Sequence, residues 1–328
     1  MSASREAIQR VHDKLRRELG PLICGLLAQP DVTEILLNQD SRIWVERLGQ
    51  PMAAIGTMTP AYAESLMATV ASQIPTTITR ENPILECELP LGGERFSAVL
   101  PPIALNPCFS IRVPAKKVFP LETYVERSVL REEHFALITQ AVANRDNILV
   151  TGGTGSGKTT FLNGVLHLVS KLTPDHRMAI LEDTRELQCE MENVLSLRTS
   201  DHVPMDRLLR HCLRQRPDRI TVGEVRDGAA LTLCKAWTTG HPGGASTVHS
   251  NVNDPRGALR RVEMLVAESY QGPARELIAE AIDLIVLVAR GKDGVRRVEG
   301  LARVANDLDG GQYRVDWNPA SWPEGLAA

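Results

Sequence analysis

Two rhythms of apolar residues divide the chain. In the first third, Ile8, Val11, Leu15, Leu19, Leu22, Ile23 and Leu26 recur at helical spacing, with a break predicted at Gly20-Pro21. Residues 33–38 and 42–47 then read as two short strands around the Gln39-Asp40-Ser41 turn. A helix over 60–74, with Leu66, Met67, Val70 and Ile74 inward, precedes strands at 85–89, 94–100 and 110–113. Helices followed by a largely antiparallel set of strands predict a small α+β domain over 1–113. The short, basic, proline-bounded run 114–120 reads as a linker.

The rhythm changes over 121–328. Helical patterns at 132–144, 161–170, 205–215 and 228–237 alternate with apolar runs at 148–150, 178–181, 219–222 and 244–248. That alternation predicts an α/β domain, a mostly parallel sheet with helices on both faces. Near the end, 284–288 and 294–304 flank Gly291-Lys292-Asp293-Gly294, a hairpin signal.

Composition changes this picture little but removes alternatives. A 43% apolar and 23% charged chain of 328 residues is ordinary globular protein with room for two cores. The net charge of −3 and the lack of an aromatic–basic stripe argue against direct nucleic-acid binding. The six cysteines form no C-x-x-C pair, which removes a structural zinc module and suggests buried thiols in a reducing compartment. No stretch reaches the roughly 18 apolar residues that span a bilayer. The expectation is a cytoplasmic protein that touches a membrane only from its surface, through basic residues such as Arg5, Arg10, Lys14, Arg16 and Arg17. A solvated helix face is the favoured reading of those charges.

The chemistry lies in the α/β part. Gly152-Gly153-Thr154-Gly155-Ser156-Gly157-Lys158-Thr159 has the spacing of a phosphate-binding P-loop, sits between an apolar strand and a helix, and is followed by Thr160. Glycines let backbone N–H groups converge on an anion, and the helix N-terminus adds its positive end. Lys158 supplies a mobile charge for the β- and γ-phosphates, and the Thr159 hydroxyl is a magnesium ligand. Glu182 and Glu224 each follow an apolar strand, which places carboxylates where open α/β sheets bind ligands. Glu224 would hold Mg2+ through water, and Glu182 would accept a proton from the attacking water. Sequence alone leaves open which of the two is the base. His249 ends a further strand after the Gly240-His241-Pro242-Gly243-Gly244 loop and could read the γ-phosphate.

This ordered set resembles the type II/IV secretion and type IV pilus ATPase superfamily. The segments that carry the likeness are the P-loop, Glu182-Asp183-Thr184-Arg185-Glu186-Leu187, Arg216 through Arg226, and Gly240-His241 through His249. They match the family's Walker A, Asp box, Walker B and His box, with Gly223 where most P-loop proteins carry an aspartate. Within the superfamily, Asp31 through Asn38, Ile43 through Glu46, Gly93-Glu94-Arg95 and Ser110-Ile111-Arg112 look like the type IV secretion traffic ATPases, and most like the TrbB type of conjugative transfer. The resemblance implies a homo-hexamer with a PAS-like N-terminal domain and a RecA-like C-terminal domain that hydrolyses ATP with Mg2+. It implies Arg95 and Arg112 as arginines directed to the triphosphate, and a hinge at the linker. The implied partners are secretion-channel and coupling-protein subunits at the inner membrane. A pilus retraction or type II secretion motor shares this chemistry, and a RecA-like nucleic-acid motor is the alternative of another class.

Overall fold

Gly20 breaks the first helix where the pattern predicts. The computed structural model describes residues 2–48, 50–74, 77–114, 118–200, 202–250 and 254–322, with side chains described from residue 9 onward. The chain forms two compact units, Met1–Lys117 and Val118–Ala328. Of the expected linker, residues 115–117 lie outside the described residues, as do the side chains of Arg5, Glu6 and Ile8.

The first unit begins with α1 (Ser2–Ala28), in which Gly20 has φ 74 and ψ 166. Few residues other than glycine adopt that conformation, and Pro21 restarts the helix on a new line. Leu15, Leu19, Ile23 and Leu26 are buried, but Leu22, expected inside, is 42% exposed. The kink turns it toward Gly56, where its Cδ2 stands 2.7 Å from the position a Cβ would take.

The strands are β1 (Val32–Leu37), β2 (Arg42–Arg47), β3 (Ala53–Thr57), β4 (Ile84–Glu88), β5 (Arg95–Val99) and β6 (Cys108–Arg112). They pair antiparallel in the order β3-β2-β1-β6-β5-β4. Helix α2 (Pro60–Ala71) starts with Thr59 as its cap and Pro60 in the first turn. Leu66, Met67 and Val70 of α2 join Leu19 and Ile23 of α1 against Ile35, Ile111 and Phe96 of the sheet. Each fully buried Leu or Ile contributes about 2 kcal/mol. The sequence pattern misses β3, an edge strand whose small residues are mostly exposed and carry no alternation.

The second unit is three-layered. Its strands are β7 (Ile148–Gly152), β8 (Met178–Glu182), β9 (Val194–Arg198), β10 (Arg219–Val222), β11 (Ala245–His249), β12 (Leu284–Arg290), β13 (Arg296–Asp309) and β14 (Gln312–Pro319). Their order is β14-β13-β12-β7-β11-β10-β8-β9. Strands β12 through β9 in that order run parallel, and β13 and β14 are antiparallel additions. The helices are α3 (Leu121–Glu126), α4 (Glu132–Asn144), α5 (Lys158–Leu172), α6 (Met205–Cys212), α7 (Ala229–Thr238), α8 (Pro255–Ala267) and α9 (Arg275–Ala281).

Alternate residues of each strand feed opposite faces, as the two-residue period requires. Ile148, Val150, Ile180 and Val286 pack with α4 and α5. Leu149, Leu181, Val222 and Ile285 pack with α6 through α9 on the other side. The parallel α/β architecture expected for this region is therefore present.

Candidate functional site

Four neighbouring parallel strands, β7, β11, β10 and β8, end at one edge of the large sheet, and each ends in or is followed there by a residue the sequence singles out. Strand β7 runs into the glycine-rich turn and α5. Gly152 admits no side chain, because a Cβ would stand 2.1 Å from the Val288 carbonyl oxygen of β12. Gly155 (φ 69) and Gly157 (φ 94) take left-handed conformations that let the turn close. No side chain caps the first turn of α5, so its leading N–H groups point into the turn uncapped.

Lys158, the first residue of α5, is buried, and its Nζ donates to the Gly152 and Gly153 oxygens at 2.9 Å each. The ammonium is thus held at the mouth of the loop. Ser156 Oγ and Thr151 Oγ1 are buried without a hydrogen-bond partner among the described residues. An orphaned hydroxyl, left-handed glycines and an uncapped helix start suit a bound phosphate.

His249 closes β11 directly beside Gly152 of β7. Its Nε2 lies 3.3 Å from Thr154 Oγ1 in the loop. Burial, and then the charge of Lys158, holds its pKa below the ordinary 6.5, with Glu224 acting in the opposite sense. The imidazole is therefore neutral at pH 7. The same strand is tied to its other neighbour: Thr247 Oγ1 donates to Gly223 O at 2.9 Å, and Val225 N–H donates to Thr247 O at 2.9 Å. On the β7 side, the Ser250 N–H donates to Gly152 O at 3.3 Å.

The two candidate carboxylates differ in setting. Glu182, at the end of β8, is 3% exposed, and its Oε1 accepts from the Glu186 and Leu187 N–H groups at 2.9 and 2.8 Å. It anchors the acidic loop that follows its own strand. Asn163 of α5 clasps the same loop, donating to Glu186 O and accepting from Gln188 N–H. Glu224 is half-buried, and its Oε2 accepts from Arg226 Nε at 2.9 Å and Nη2 at 2.5 Å. Arg226 also reaches to 3.9 Å from Asp183 Oδ2.

Gly223 packs closely against Glu182. A Cβ there would meet Glu182 Cγ at 3.1 Å. Glu224's strand is not the next one in sequence after Glu182's, as the apolar runs suggest, because β9 intervenes. β9 pairs on the far side of β8, which leaves β10 free to be β8's other neighbour.

Thr159 and Thr160 lie in the first turn of α5, half-buried. Among the described residues no cluster of three or more His, Cys, Asp or Glu could hold a metal on its own. A magnesium ion here would therefore take most of its ligands from phosphate and water, which suits Thr159 as a single protein hydroxyl and Glu224 as an outer contact.

Arg95 and Arg112 belong to the first unit and face each other across β5 and β6. Glu34 of β1 stands opposite Arg112, and Glu88 of β4 opposite Arg95. Two arginines directly opposite each other repel, and the flanking carboxylates offset that cost. The sheet brings the two predicted arginines into one row.

Two contributors escaped the sequence. The one signal for Asn163 is a polar residue within the apolar pattern of α5, where it is buried. Arg296, at the start of β13, donates from Nε to Gly155 O at 2.7 Å, and nothing local in the chain points to that contact.

The pattern of the type II/IV secretion system protein family matches residues 17–306. The chain belongs to this family. Members similar to it include a probable conjugal transfer protein TrbB of Sinorhizobium fredii, 47% identical over 307 residues, covering 94% of this chain and 93% of the relative. The conjugal transfer protein TrbB of Rhizobium radiobacter is 49% identical over 295 residues, covering 90% of each chain. Among solved structures, the Legionella pneumophila ATPase DotB superposes with a TM-score of 0.60 at 19% identity, over 84% of this chain and 77% of that one. At that identity the likeness concerns the family fold alone, an N-terminal α+β domain followed by a RecA-like domain.

Proposed function

We propose that this secretion-family chain is a magnesium-dependent ATP hydrolase that energises conjugative type IV secretion. The observation that carries the reading is the Lys158 loop at the end of β7, with His249, Glu224 and Glu182 at the ends of the three strands beside it. The names of its TrbB relatives supply the transport context.

In this reading residues 152–160 bind the triphosphate, and Lys158 leaves the Gly152 and Gly153 carbonyls for the phosphate oxygens. Thr159 and Glu224 hold the magnesium ion, which neutralises phosphate charge when bound. Glu182 accepts the proton of the attacking water, and neutral His249 accepts or donates one hydrogen bond beside the loop. Arg95 and Arg112 serve the triphosphate as the family resemblance implies, in a homo-hexamer working at the cytoplasmic face of the inner membrane with channel and coupling-protein subunits. Domains 1–113 and 121–328 then move about the 114–120 segment during turnover. Among the described residues no helix is long and apolar enough to cross a membrane.

Lys158→Ala should abolish ATP turnover while leaving the fold intact, as read by circular dichroism. Unimpaired turnover in that variant would sink the site assignment. Removing magnesium with chelator should stop hydrolysis in the wild-type chain. Glu182→Gln should lower kcat about 100-fold or more while KM holds. A loss of kcat in Glu224→Gln alone would exchange the two roles.

A further inference from the structure

The β12–β13 hairpin stands at the carboxyl edge beside the P-loop, because β12 is parallel to β7 and pairs with it through Leu287↔Thr151. Its two strands approach the loop from the same side. Val288 O occupies the space a side chain at 152 would need. Arg296 Nε donates to Gly155 O at 2.7 Å, and its Cδ lies 3.1 Å from where a Cβ on Gly157 would stand.

A phosphate-binding loop works by turning N–H groups inward, which turns carbonyls outward. An outward carbonyl left loose allows the peptide to flip, and the left-handed glycines at 155 and 157 make that flip cheap. We infer that Arg296 is a positioning residue that fixes the Gly155 peptide and so preorganises the P-loop for phosphate. The inference rests on the nucleotide-binding reading of the loop. The contact is a hydrogen bond from Nε, the atom at the base of the guanidinium, to a carbonyl. Nε belongs to a charged guanidinium, so the bond carries both direction and charge, and the two contributions are separable by substitution.

Three variants of the full chain separate these contributions. In Arg296→Gln the amide nitrogen sits the same number of bonds from Cα as arginine Nε, so the donor survives without the charge. In Arg296→Lys the charge survives, but a methylene takes the place of Nε. Arg296→Ala removes both. With a fluorescent ADP analogue as the probe, Ala and Lys should each raise Kd about tenfold, and Gln should stay close to wild type. Nucleotide-free thermal midpoints should agree across the set, and KM for ATP should rise with little change in kcat.

Equal affinity in all four chains would overturn the inference. So would weakened binding in Gln with normal binding in Lys, which would assign the effect to charge. A lowered nucleotide-free midpoint with unchanged Kd would make Arg296 a packing residue only. Failure of the wild-type chain to bind the analogue would instead remove the nucleotide reading, and this inference with it.

Discussion

At the scale of single residues, close contacts decide which chemistry each position can perform. Gly223 leaves room for Glu182, so Gly223→Ala pushes on the carboxylate that anchors residues 186–187. The expected cost is about 1–3 kcal/mol in chemical denaturation, with turnover reduced. The histidines set an acid limit. Burial lowers the pKa of His134, His176 and His249 from the ordinary 6.5. A group lowered on folding contributes in full above 6.5, and its contribution is lost as pH falls through the folded value. The thermal midpoint should therefore drop on acidification below 6.5, and less steeply in His134→Leu, whose parent side chain is fully buried. The P-loop residues, Glu182, Glu224 and His249 were readable because each sits next to its own strand in sequence. The environments of Glu182 and Glu224 were not, since they depend on partners such as Leu187 and Arg226 whose side-chain or backbone directions are set by folding.

At the scale of elements, the sequence carried the long, periodic pieces and lost those without a period. The broken α1, the β1–β2 hairpin, the P-loop strand and helix, and the β12–β13 hairpin all follow from local signals. Strands β3 and β14 sit at sheet edges with mixed exposure, β9 ends its sheet on the other side, and helices α3, α8 and α9 were also unmarked. Their apolar positions are chosen by the neighbour they cover. Gly20 offers a clean element-level test. Nothing lies within 4 Å of a Cβ placed there, so Gly20→Ala is opposed by backbone strain alone. It should destabilise the first unit by about 1–3 kcal/mol, seen as an earlier melting transition.

At the scale of the whole molecule, each unit carries its own apolar core, one from residues 15–113 and two flanking the large sheet from residues 121–313. A fragment of residues 118–328 should melt cooperatively on its own and bind nucleotide, as read by calorimetry and the fluorescent analogue. The strand order carries a further consequence for the growing chain on the ribosome. Strand β7 is flanked by β11 (Ala245–His249) and β12 (Leu284–Arg290), both made long after it. Until they emerge, both edges of the P-loop strand are bare, and the loop lacks the Val288 and Arg296 contacts that shape it. Ribosome-bound nascent chains halted before β11 should fail to bind immobilised ATP, and full affinity should arise only after Arg296 has cleared the exit tunnel. Translation, on this account, delivers the motif early and the working loop last.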